Sequence, residues 1–111
     1  MLSLQVFRSC RLIVDTGLHA LGWSRTKAID VMSRNTPLSK GEIIAEVDRY
    51  IIWPGQALAY KMGQRAIAEL RHETEQRLGP SFDIRAFHDA VLKNGPLPLS
   101  AMKSAVARAL R

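Results

Sequence analysis

The run WPGQALAYKMGQ, residues 53–64, decides how the rest of the chain is read. A proline disfavours helical geometry at the residue before it, so a preceding helix should stop by Trp53. Pro54 itself suits the first position of a new helix, where its missing N–H costs nothing. At about 100° per residue, Gln56, Tyr60, Gln64 and Arg71 fall on one polar stripe. Ala59, Met62, Ala66 and Leu70 fall on a separate apolar stripe. A polar stripe that carries a tyrosine so near a helix start is suited to facing a binding cleft.

Working outward, helix signals recur and no segment sustains strand alternation. The first helix is expected over residues 4–21, closed by Gly22. Ser24 caps a second helix that runs to about Ser33. Ser39 and Glu42 stand in capping-box spacing and open a third, which ends at Ile52. Pro54 is read as the start of a long fourth helix ending near Leu78, with Gly79 and Pro80 as stop signals. Asp83 caps a fifth helix over residues 84–93, and Pro98 opens a sixth through Leu110. The expected fold class is all-α, six helices in an irregular antiparallel array. The connections of two to six residues suit a compact helical domain. Residues 1–111 are read as one helical domain.

The chain has 111 residues and a formal net charge of +6. Residues 1–60 hold seven Lys/Arg against five Asp/Glu, and residues 61–111 hold nine against five. The excess is therefore dispersed, whereas a nucleic-acid binder gathers its basic residues on one element. The single cysteine, Cys10, excludes an intrachain disulfide. It falls with Val6, Ile13, Val14, Gly17 and Leu21 on what reads as the apolar face of the first helix, where a buried thiol is a small hydrophobe. No stretch approaches the roughly 20 apolar residues that span a bilayer. Arg8, Arg11 and Asp15 interrupt any signal-peptide core near the start.

Opposite that apolar face, Arg8, Arg11, Asp15 and His19 form a polar stripe. Asp15 is placed to accept from a His19 ring N–H and from Arg11, one turn away on either side. A histidine oriented in this way can donate to an oxyanion or hold a substrate carbonyl. The plain alternative is a surface ion-pair ladder worth a few tenths of a kcal/mol. Tyr60 can likewise offer a phenol hydroxyl to an oxyanion, or seal a core with its hydroxyl in water. Gln56 and Gln64 can bind a peptide backbone or be solvated. Trp23, Trp53, Phe82 and Phe87 read as core or helix-joint residues, and His88 as a packing or capping residue. A zincin metal site needs two histidines one helical turn apart with a glutamate beside the first. His72-Glu73 begins such a motif, but Gln76 stands where the second histidine belongs. No metal ligands are assigned in this chain.

Three segments carry a family resemblance: RLIVDTGLHALGWSRTKAIDVM at residues 11–32, EVDRYIIWPGQALAYKMGQ at 46–64, and FDIRAFHDAVLKNGPLPL at 82–99. In them the chain resembles the C-terminal part of the bacterial proteins grouped as the domain of unknown function 885 family. Those proteins look like zinc-dependent peptidases of the zincin type. The resemblance implies that zinc belongs to full-length relatives, whose HExxH-type motif and downstream glutamate lie before the region matched here. It implies His19 and Tyr60 as oxyanion or substrate contacts in an intact enzyme, with Arg11, Asp15, Gln56 and Gln64 binding substrate or supporting them. It implies a C-terminal fragment, inactive alone, whose partners are a metal-binding N-terminal half or a second copy, with a peptide substrate in intact relatives. Two further readings stay open. One is a stand-alone helical protein-interaction module; the other is a basic DNA-binding helical domain.

Overall fold

A computed structural model describes residues 2–111 as an all-α fold. The helices are α1 (Leu2–Ala20), α2 (Arg25–Asn35), α3 (Lys40–Ile52), α4 (Ala59–Leu78), α5 (Ile84–Leu92) and α6 (Leu99–Ala109). Short 3-10 turns at Gln56–Leu58 and Gly79–Ser81 precede and follow α4. The caps follow from local chemistry. The Ser24 hydroxyl accepts from the Lys27 N–H, and the Asp83 carboxylate from the Arg85 N–H. Ser39 and Glu42 complete a reciprocal capping box. The hydrogen bonds from Ser39 hold the Glu42 carboxyl below its ordinary value.

Pro54 does not start α4, contrary to the sequence expectation. Gly55 follows it at φ 82°, a left-handed conformation that a right-handed helix cannot contain. A 3-10 turn intervenes before α4 begins at Ala59. Gln56 therefore lies ahead of the helix that carries Tyr60 and Gln64.

The described residues form two compact units, one reaching to Met62 and one starting at Gly63. In the first, α1, α2 and α3 pack around Val14, Ala28, Met32, Ile43, Val47, Tyr50 and Ala57. In the second, Leu70, Phe87, Ala90, Met102 and Val106 form the core. There the Arg77 guanidinium donates to the Leu110 carbonyl at 2.8 Å, tying the end of α6 to α4.

The GLHALGW stretch closes α1 by a close approach. A Cβ on Gly17 would lie 2.3 Å from the Trp23 indole, which folds back over the helix. Alanine is ordinarily the better helix former by about 1 kcal/mol. Here the clash exceeds that gain, and Gly17→Ala should destabilise the chain by about 1–3 kcal/mol, as overpacking does. Gly63, within α4, meets nothing within 4 Å of a built Cβ. Gly63→Ala should therefore stabilise by about 0.5–1 kcal/mol. Urea unfolding followed by helical circular dichroism checks both, and a Gly17→Ala variant as stable as the parent would refute the packing account.

Candidate functional site

The face of α1 that is buried differs from the one its periodicity suggests. The buried residues are Cys10, Arg11, Val14, Asp15 and Gly17. Val6, Ile13 and Leu21 are exposed. The core-facing arc lies between the two sequence stripes: it takes Cys10, Val14 and Gly17 from the apolar one, and Arg11 and Asp15 from the polar one. Partly buried Phe7 and Leu18 fill its centre line. The ladder reading of a solvated polar face is thus corrected, since Arg11 is 7% and Asp15 3% exposed. Cys10 is buried as expected, and burial pushes its thiol up.

Asp15 and His19 do not bond to each other. Asp15 Oδ2 instead accepts the Gly55 N–H at 3.1 Å, forty residues along the chain. This contact holds the left-handed turn of the Trp-Pro-Gly segment against α1. His19 Nε2 lies 2.9 Å from the Tyr50 carbonyl oxygen. A carbonyl only accepts, so Nε2 carries the proton. In the neutral ring Nδ1 is then an acceptor, and only the imidazolium could donate from it.

Tyr50 is the residue the sequence reading missed. It is fully buried at the end of α3, and its hydroxyl donates to Glu46 Oε2 at 2.6 Å. Burial, then the Glu46 carboxylate, push the phenol well above its ordinary value. The same Glu46 oxygen accepts from Arg49 at 2.7 Å, and Arg49 donates onward to Gln56 Oε1 at 3.1 Å. Gln56 is therefore held by the network and not merely solvated. The signal was present as Glu46, Arg49 and Tyr50 at i, i+3 and i+4, directly before the Trp-Pro pair.

Tyr60 opens α4 with its side chain 60% exposed. Two guanidiniums face its ring, Arg8 at 4.9 Å and Arg11 at 5.4 Å from the centroid. The structure thus gathers Arg8, Arg11, Asp15, Tyr60 and the Gly55 turn at one place. His19 lies eight residues beyond Arg11 on α1, roughly 12 Å along the axis, and shares no hydrogen bond with Tyr60. Trp53, expected at a helix joint, is the C-terminal cap residue of α3 and is largely exposed.

In the second unit, a groove of about 350 Å³ is lined by Gln64, Ile67, Ala68, Arg71, Phe87, His88, Val91 and Leu92. Gln64 and Arg71 of the polar stripe both line it, with an exposed His88 whose ring is tilted by 59° to that of Phe87. His72 Nε2 accepts from the Gln76 amide at 2.9 Å. Among the described residues no three His, Cys, Asp or Glu side chains are grouped to hold a metal ion. No helix is long and apolar enough to cross a membrane.

Fold and site define an all-α module with a charged stripe drawn into its packing. The chain belongs to the bacterial protein family of unknown function DUF885, whose sequence profile matches residues 1–106. Among solved structures it is similar to "the putative lipoprotein from Colwellia psychrerythraea", with 45% identity and a TM-score of 0.95. That likeness covers 98% of this chain but 19% of the other. The chain thus spans about a fifth of that relative's length. No curated protein matches it.

Proposed function

We propose that this chain is the downstream helical part of a larger zinc-dependent, peptidase-like protein, and that it forms one wall of the substrate cleft. The observation that supports this reading is the burial of Arg11 and Asp15 beside Tyr60 and the Gly55 turn. Burying charge costs stability unless it is paired and hydrogen-bonded, and such local violations concentrate at functional sites. Exposed Leu4, Val6 and Ile13 on α1, with Ile52 and Trp53 at the end of α3, suit a wall that other segments cover.

The residues present do not fit a zinc site. His72 Nε2 accepts from the Gln76 amide, and among the described residues no group of His, Cys, Asp or Glu side chains could hold a metal ion. Any zinc would be held by residues outside this chain. What the chain can supply is a wall of donors. As water adds to a peptide carbonyl, negative charge develops on its oxygen, and the Tyr60 hydroxyl can donate to it. His19, exposed in the last turn of α1, can position substrate through the ring nitrogen that does not bond the Tyr50 carbonyl.

The test is a longer protein that carries this segment, loaded with zinc and offered a mixed peptide library read by mass spectrometry. Cleavage that a chelator abolishes and zinc restores is the expected result. The 111-residue chain alone should cleave nothing and bind no stoichiometric zinc. Failure of the loaded longer protein to cut any peptide would remove the peptidase reading. One tightly held zinc per isolated chain, lost on His72→Ala, would instead overturn the placement of the metal outside this chain.

A further inference from the structure

Among the described residues, Arg11 is a buried cation without an ion-pair partner. Its side chain is 7% exposed, and its buried Nε makes no hydrogen bond. A guanidinium cannot escape by deprotonating, as a lysine would. What surrounds it is aromatic: the rings of Phe7, Tyr50 and Tyr60, at 5.7, 5.8 and 5.4 Å from its central carbon. Ring faces attract the cation. They offer nothing to the N–H donors, which lie in the guanidinium plane.

The surroundings add positive charge. Arg8, half-buried, faces the same Tyr60 ring and is likewise without an acidic partner among the described residues. Asp15 is the acid on this stripe, and its Oδ2 is taken by the Gly55 N–H. Arg8, Arg11 and Asp15 together leave one formal positive charge. Of the three rings, Tyr60 is the most exposed, at 60%, whereas Tyr50 is buried.

We propose that Arg11, flanked by Arg8 and Tyr60, is a carboxylate-binding site. A planar carboxylate matches the guanidinium fork with two parallel hydrogen bonds and balances a single charge. A phosphate dianion would be stripped of more water between three aromatic rings, at greater cost. The carboxylate has two sources: the free C-terminus of a peptide, or an Asp or Glu side chain from elsewhere in a longer protein that carries this segment. Binding is read without turnover, so this site stands or falls separately from the peptidase reading.

The experiment follows arginine Nε–H resonances by ¹⁵N NMR in the 111-residue chain, titrated with N-acetyl-dialanine, with its C-terminal amide, and with inorganic phosphate. The Arg11 signal, assigned by its loss in Arg11→Lys, should shift saturably with the acid and not with the amide or phosphate. Loss of a charge-assisted hydrogen bond in Arg11→Lys should weaken binding of the acid, read from backbone shifts around Tyr60, by roughly tenfold to a hundredfold. Arg8→Gln should weaken it less. The same titration in the longer protein separates the sources. A response there marks a peptide C-terminus as the ligand, and an Arg11 signal already shifted and unresponsive marks an internal carboxylate. No response of the isolated chain to the acid would overturn the proposal, as would an equal response to the amide or to phosphate. If Arg11→Lys fails to fold, the contrast of acid with amide in the unaltered chain still decides.

Discussion

Asp15→Ala should cost the isolated chain about 3 kcal/mol of stability, a large share of the roughly 5–15 kcal/mol that holds a small domain. The carboxylate is 3% exposed and is the acceptor for the Gly55 N–H at 3.1 Å. Its removal takes away a charge-assisted bond and leaves the backbone of a left-handed turn without its partner. It also removes the negative charge that shares a helix stripe with buried Arg11. Asp15→Asn separates the two contributions, because the amide oxygen can still accept from Gly55 while the charge is gone. A cost close to that of alanine would assign most of the effect to charge balance around Arg11. A small cost would assign it to the turn. Urea unfolding followed by circular dichroism measures both variants. An Asp15→Ala chain within about 0.5 kcal/mol of the parent, the range of an ordinary surface change, would show that the carboxylate does not hold the turn.

The same residue marks where sequence reading stops. The helices and most caps were legible because their causes are local: Ser24, the Ser39–Glu42 box and Asp83 act within three residues of where they stand. The start of α4 was not, because Pro54 is permitted at a helix start but does not require one. Gly55 adopts its left-handed turn against a carboxylate forty residues upstream. On α1, periodicity finds an apolar stripe with a polar stripe opposite it. It cannot say that the core lies on the seam between them. That depends on α2 and α3, which supply the apolar surface facing Val14, and on Tyr50, which lays its ring beneath Arg11. The candidate residues were singled out one by one in the sequence, but the contacts expected among them differ from those found. Arg11 and Tyr60 come together, while the expected Asp15–His19 bond gives way to two separate backbone anchors.

In a longer protein that carries this segment, Tyr60→Phe should lower turnover by roughly a hundredfold to a thousandfold, as the loss of one oxyanion donor does. The change removes only the hydroxyl. The ring that faces Arg8 and Arg11 remains, and the side chain is largely exposed, so folding should shift by no more than about 0.5 kcal/mol. Substrate binding should change less than turnover, because the bond to the developing charge strengthens in the transition state. His19 needs a finer comparison, since its Nε2–H also anchors the Tyr50 carbonyl. His19→Ala loses that anchor, at about 1 kcal/mol of stability, together with any role in the reaction. His19→Gln keeps an N–H donor for the carbonyl and removes the imidazole. If the glutamine variant restores stability but not turnover, the ring acts on substrate through Nδ1. If it restores both, His19 is a clamp between α1 and α3 and nothing more. Tyr60→Phe with unchanged turnover would likewise reduce Tyr60 to one of the rings around Arg11.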